Sequence, residues 1–400
     1  MAKALRMVGV AAGAFFALVV VATVIYFVVR PKPPRLPENV SEIQEVEAYL
    51  TNLINVGIPP GLSVVVVKED SIVYQKGAGY ADGPNAVPAT PDTVYRWWSM
   101  TKIPTAVAIL QLHERGSLDI DDPVRDYLPF FQVHYPSENS EVITIRHLLN
   151  HSSGLPDNFP EVVGWMHLED ETPLDQTAFL KEVFSNYDQL KFEPGSRSQY
   201  TNVGYMVLGA IVEQVSGLSY EEYVLENIVG PLEMKNTHFR YTENMLDQAA
   251  VGSHPSFDIQ SFLLPLFYDN LDDYIRERKD GRIWFNRFLA DSNPPTGLVG
   301  PATDLARFQM AYLNGGKLDG VRILSSDTVE MMTHDSQLPI KKTGQTDAPF
   351  QGLGWEVYRE GGELSYLEHG GGGPGFGSAM RLYPDRSEVH FPGWEDHPNG

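Results

Sequence analysis

The chain has 400 residues, no cysteine and a formal net charge of -22. Its length leaves room for a large core and two or three domains of about 100–200 residues each, and 42% hydrophobic with 20% charged residues excludes a disordered chain. The missing cysteines exclude disulfides, thiolate metal sites, a thiol nucleophile and a lipidated cysteine, while the acidity argues against nucleic acid as a partner.

The acidity is unevenly placed. Residues 1–37 contain Lys3, Arg6, Arg30, Lys32 and Arg35 and no Asp or Glu. Within them residues 7–29 are uncharged, a run that would span about 34 Å as a helix against a hydrocarbon core of about 30 Å. A cleaved signal peptide would carry a shorter apolar region ending at small residues. This run ends in Tyr26, Phe27, Val28 and Val29, so it is expected to remain as a single-pass amino-terminal anchor. Basic residues flank it on both sides and the charge count leaves orientation nearly balanced; the domain that follows is expected outside the cytoplasm, periplasmic or extracellular. The proline-rich segment from Pro31 to Pro37 reads as a stiff linker.

Next comes a predicted helix over residues 38–56, with Val40, Ile43, Val46, Leu50, Leu53 and Ile54 at helical spacing and Ser41 as its cap. Residues 61–67 and 71–77 are β-branched runs separated by Lys68, Glu69 and Asp70, the pattern of a hairpin. Residues 99–116 read as a helix through Met100, Ile103, Val107 and Leu110, ended by Gly116. Helical patterns then dominate to about residue 240, including 143–150, 175–184, 205–215 and 220–228. Residues 241–294 are rich in aromatics, among them Phe257, Phe262, Phe267, Tyr268, Tyr274, Trp284, Phe285 and Phe288; most of these are expected in core packing and some in shaping a cleft. Strand character returns at 352–358 and 376–383. Strands at both ends with helices between predict an α/β (α+β) fold: a central antiparallel sheet flanked by helices, built from distant segments, with an inserted mainly helical lobe. The expected division is anchor and linker over 1–35 and one domain over 36–400, its sheet lobe at about 36–130 and 295–400 and its helical lobe at about 131–294.

Ser99-Met100-Thr101-Lys102 places a hydroxyl and an amine three residues apart on one helix face, at a helix start whose dipole favours developing negative charge. Alone, this spacing is expected about once by chance in such a chain. Two companions give it weight: Tyr200-Thr201-Asn202 before an apolar helix, and His369-Gly370-Gly371-Gly372 before a strand. The segments from Arg96 to Lys102, from Leu118 to Val124, from Ile143 to Pro156, from Phe192 to Gly195, from Asn202 to Gly209, from Pro231 to Met234, from Ala302 to Phe308 and from Gly352 to Trp355 follow in order. Together they resemble the serine β-lactamase and penicillin-binding-protein superfamily, in particular its class C β-lactamase-like branch of carboxypeptidases, D-aminopeptidases and esterases, over about residues 61–384.

The resemblance implies a serine hydrolase. Ser99 would form an acyl-enzyme, Lys102 would help remove its proton, Tyr200 would serve as second base or relay, and Asn202 would orient Lys102 and the substrate. The N–H groups of Ser99 and Gly372 would form an oxyanion hole beside Gly371. The sequence departs from the lactamase pattern at His369, where a lysine is usual; an ester or peptide-like amide, small or peptidic, is therefore expected as substrate ahead of a β-lactam. The competing reading is a catalytically idle binding or scaffold protein.

No cofactor or metal is expected. His147 and His151 share helical spacing but enclose no glutamate and have no evident third ligand. Gly370, Gly372 and Gly375 match a dinucleotide fingerprint outside its strand–helix context, and a Gly-x-Ser-x-Gly elbow is missing. Oligomeric state is not encoded in any of these patterns. Family members usually finish with a strand and a long helix, whereas here Pro392 interrupts residues 388–400. The expectation is a truncated or diverged end that exposes one sheet face.

Overall fold

A computed structural model describes residues 32, 34, 35 and 42–384, except 158–165, 257, 259–260, 262–263, 266–269, 335–337 and 341–348. The expected anchor at 7–29, the proposed cap Ser41, the aromatics Phe257, Phe262, Phe267 and Tyr268, and the interrupted end at 388–400 lie outside the described residues. Among the described residues no helix is long and apolar enough to cross a membrane.

Helix α1 (Ile43–Val56) begins on a capping box between Glu42 and Glu45 and ends at Gly57 in the left-handed region. Its stripe of Val46, Leu50 and Leu53 packs on Leu62, Val64 and Tyr74 of the predicted hairpin, β1 (Gly61–Lys68) and β2 (Ser71–Asp82). The short β3 (Val87–Pro88) completes that sheet. Strand β4 (Val94–Arg96) leads into a tight 3-10 turn, Trp98–Thr101, and then α2 (Lys102–Glu114). Every residue of α2 from Lys102 to Leu112 is buried. The expected single apolar stripe is therefore a helix covered on all sides, the arrangement of an element at the centre of a large core.

Short helices α3 (Val124–Tyr127) and α4 (Ile145–Leu149) precede α5 (Gln176–Asn186), capped by Asp175. Helix α6 (Asn202–Ser216), capped by Thr201 and closed by Gly217, buries Val203–Val212 and forms the second central helix. Helix α7 (Tyr220–Val224) runs into a wider turn at Leu225–Val229.

The predicted mainly helical lobe is corrected: among the described residues it also carries strands, one in its first half and four in its second. β5 (Met166–Leu168) pairs with β9 (Phe288–Ala290), and β6 (Ser253–Pro255), β7 (Ile275–Lys279) and β8 (Arg282–Phe285) form a three-stranded sheet. Aromatic residues pack well on a pleated surface; Trp284, Phe285 and Phe288 are buried there, two of them in one cluster with Trp98, Met166 and Ile283.

Helix α8 (Asn293–Thr296), β10 (Val299–Pro301) and α9 (Ala302–Leu313) return the chain to the Ser99 segment, since β10 pairs with β4. After the small hairpin β11 (Lys317–Leu318) and β12 (Val321–Arg322) and helix α10 (Ser326–His334), a four-stranded antiparallel sheet closes the fold: β13 (Phe350–Gln351), β14 (Glu356–Glu360), β15 (Glu363–Gly373) and β16 (Phe376–Leu382). Of the expected central sheet the described residues show two parts. Among the described residues the strands near the two ends form two sheets, β1–β3 and β13–β16, because β1 pairs with β2 alone and β16 with β15 alone. Val357, Leu367, Met380 and Leu382 turn one face of the latter sheet to the main core; Glu368 and Arg381 form a buried ion pair on it.

Candidate active site

The tight turn carrying Ser99 is held from three directions. Trp97 donates its N–H to Leu298 O at 2.9 Å and its indole N–H to Gly300 O at 3.0 Å. Ser378 Oγ donates to Trp97 O at 2.7 Å. Trp98 occupies the left-handed region at φ 48°, an uncommon conformation for a bulky residue and a local strain placed beside the candidate nucleophile.

Lys102, one turn further on, is wholly buried. Its Nζ lies 3.3 Å from Ser99 Oγ, 2.7 Å from Asn202 Oδ1 and 3.3 Å from Pro295 O. Burial pushes the amine down to about 7, against the opposing pull of Asp157. A neutral amine has two N–H donors and one lone pair: with Asn202 and Pro295 taking the donors, the lone pair is left for the Ser99 hydroxyl proton.

Tyr200 ends the loop before α6. Its hydroxyl hydrogen-bonds Ser99, and loss of solvation at that end raises the phenol above its usual range, so it is a neutral O–H. The residue as a whole is 41% exposed, and Lys102 Nζ stands 4.6 Å from its ring centre. Asn202, the first residue of α6, accepts from Lys102 through Oδ1 and donates to Asp157 through Nδ2 at 3.3 Å. This pair of contacts defines which end of the amide faces the lysine.

His369 is buried on β15, and its ring centre lies 6.4 Å from that of Tyr200. Burial, reinforced by Lys102, lowers the imidazole to about 4, so it is neutral near pH 7, with Nδ1 within 2.8 Å of Gly370 O. Gly371 shows why this strand needs glycine: a Cβ there would stand 2.1 Å from Trp97 O and 3.1 Å from Ser99 N. The Gly371–Gly372 main chain therefore runs alongside the Ser99 amide. At Gly372 a Cβ would meet nothing within 4 Å, the open side expected of a substrate cleft. The residues expected in the site, Ser99, Lys102, Tyr200, Asn202, His369, Gly371 and Gly372, thus lie in one cluster.

Two neighbours went unrecognised in the sequence. Asp157 accepts the N–H groups of Asn202 at 2.8 Å and Val203 at 3.0 Å and the Thr201 hydroxyl at 3.1 Å, satisfying orphan donors at the start of α6. Its signal was its place directly after Leu155-Pro156 in the longest recognisable stretch. His151, weighed beforehand as a metal ligand with His147, turns to Tyr200 instead; His147 Nδ1 accepts from Thr144 N at 3.2 Å. Among the described residues no three His, Cys, Asp or Glu side chains are grouped to hold a metal ion.

A family model described as Beta-lactamase matches residues 50–390. The chain is 32% identical to Protein flp of Staphylococcus aureus strain MW2 over 211 residues, 52% of this chain and 41% of that protein, so it spans less than half of that relative's length. It is 28% identical over 342 residues to a D-alanyl-D-alanine carboxypeptidase homologue of Escherichia coli strain K12, covering 81% of this chain and 74% of that one. Among solved structures, the octameric penicillin-binding protein homologue from Pyrococcus abyssi superposes with a TM-score of 0.67 at 26% identity, over 86% of this chain and 72% of that chain. The D-amino acid amidase from Ochrobactrum anthropi SV3 shares the fold at a TM-score of 0.63 and 22% identity, over 82% and 88%.

Proposed function

This chain belongs to the Beta-lactamase family, and we propose that it is a serine hydrolase cleaving an ester or peptide-like amide through an acyl-Ser99 intermediate. The observation that carries the reading is the buried Lys102 amine, with two carbonyl oxygens to occupy its donors and the Ser99 hydroxyl as its third neighbour. Ser99 Oγ attacks the substrate carbonyl carbon while its proton passes to Lys102, and the N–H groups of Ser99 and Gly372 stabilise the oxyanion. Collapse breaks the bond to the leaving group, which takes a proton through the Tyr200 hydroxyl. Water, deprotonated by the same pair, then attacks the acyl carbon; the Oγ–acyl bond breaks, Ser99 takes that proton back from the pair, and the acid product leaves.

A neutral His369 supplies no fixed cation for a carboxylate, which favours ester or amide substrates over a β-lactam. Similarity to the carboxypeptidase homologue supports the peptide-like choice. Residues 7–29 would tether the catalytic domain to a membrane, on the side away from the cytoplasm.

The test is a fluorophosphonate probe on the full chain in detergent, followed by mass spectrometry. An adduct on Ser99, lost in Ser99→Ala, is expected. A wild-type chain without adduct sinks the enzyme reading in favour of an idle scaffold, and strong labelling by a fluorescent penicillin would overturn the ranking of substrates.

A further inference from the structure

We infer that His151 is a positioning residue for Tyr200, an inference that rests on reading Ser99, Lys102 and Tyr200 as the reacting groups. His151 holds the main chain on both sides of that tyrosine. Its carbonyl oxygen accepts the N–H of Gln199 at 2.8 Å, and its Nδ1 accepts the N–H of Thr201 at 3.2 Å. Between these two bonds the imidazole packs against the Tyr200 ring, centre to centre 4.5 Å and tilted by 34°.

The imidazole also packs against Tyr205, centre to centre 5.0 Å. That ring belongs to α6 and is anchored by its hydroxyl donating to Leu149 O at 2.9 Å. His151 thus touches both a ring anchored on α6 and the loop tyrosine. Its backbone is left-handed, at φ 57°, a conformation in which His and Asn are over-represented among residues with a side chain. One residue there presents both its carbonyl and its ring to the 199–201 segment.

Accepting from Thr201 makes Nδ1 the unprotonated nitrogen and puts the proton on Nε2. Nε2 is buried and has no hydrogen-bond partner among the described residues. A side chain that only filled space would strand no polar atom in the interior; the imidazole is explained by the acceptor it offers at Nδ1. Tyr200 has to hold its hydroxyl against Ser99, and a displacement of about 1 Å at such a group costs on the order of 10²-fold in rate.

The test is a double-mutant cycle, read as the rate of fluorophosphonate labelling of Ser99 in the full chain in detergent. His151→Phe keeps a ring and loses the acceptor; His151→Asn keeps an acceptor and a side chain suited to the left-handed backbone. His151→Phe is expected to slow labelling about 10- to 100-fold with Tyr200 present and no more than about 2-fold in a Tyr200→Phe background, with His151→Asn recovering part of the loss. Equal losses in both backgrounds would overturn the inference. A second arm needs no activity: 3-fluorotyrosine at position 200 is followed by fluorine NMR, where His151→Phe should shift or split the resonance, and an unchanged resonance would overturn the inference. If the Phe variant does not fold, the Asn variant carries both arms. A chain that gives no Ser99 adduct yet shows the NMR response loses the hydrolase reading and keeps the positioning role; the opposite pattern loses the positioning role alone.

Discussion

At the scale of a residue the proposed chemistry turns on Lys102. An ammonium buried without a carboxylate in direct contact is costly, and burial lowers this amine to about 7, so that the free base is available near neutrality. The base form accumulates as pH rises through about 7, so Ser99 labelling should climb about tenfold per pH unit below that point and level off above it. A flat profile between about pH 5.5 and 8.5 would contradict this assignment of the base, and Lys102→Arg, which stays charged, should label no faster at any pH. The same shift is a statement about stability. The unfolded lysine titrates near 10.5 and the folded one near 7, so between those values the unfolded chain binds more protons and folding gains as pH rises. His369, shifted from 6.5 to about 4, adds a gain with the same sign over that lower window. The identities of Ser99, Lys102, Tyr200 and His369 were legible in short motifs, because chemistry restricts residue type. The loss of the lysine charge was not legible, because it comes from what surrounds the side chain.

At the scale of an element, β15 is a strand whose glycines differ in purpose. Gly371 lies against the nucleophile turn and Gly372 faces open space. Gly371→Ala should cost about 1–3 kcal/mol by overpacking and slow Ser99 labelling as the strand is pushed from the turn. Gly372→Ala should leave the melting temperature nearly unchanged. Equal melting temperatures for the two variants would show that β15 does not press on the turn as described. The hairpin β1–β2 and helices α2, α5 and α6 were readable from periodicity, to within a few residues at their ends. The strands β6 to β9 were not, since an aromatic-rich run without clear alternation suits either a sheet or a packed loop. Likewise Ser99 sits in a 3-10 turn and the α-helix starts at Lys102, a difference of one tight turn that no spacing in the chain distinguishes.

Across the whole molecule, the acidic excess and the uncharged amino-terminal run divide the chain into two chemistries. Residues 7–29 are long enough to span a bilayer, and the full chain expressed in cells should stay in the membrane pellet after alkaline carbonate washing, while a chain lacking residues 1–35 should not. Recovery of the full chain in the wash would rule out the anchor. The site itself draws Ser99 from the turn before α2 and Lys102 from the first residue of that helix, Asp157 from the segment after α4, Asn202 from the start of α6, the Pro295 carbonyl from α8 and Gly371 from β15. The sequence by itself determined the family, the residue types of the candidate site and the central helices, since each is written in local spacing and side-chain chemistry. Only the tertiary structure decided the lowered pKa of Lys102, the neutral state of His369, the bridge from Lys102 through Asn202 to Asp157, and the contacts of His151 with Tyr200 and Thr201. These are set by burial and by contacts between residues 45 to 193 positions apart, which no local pattern encodes.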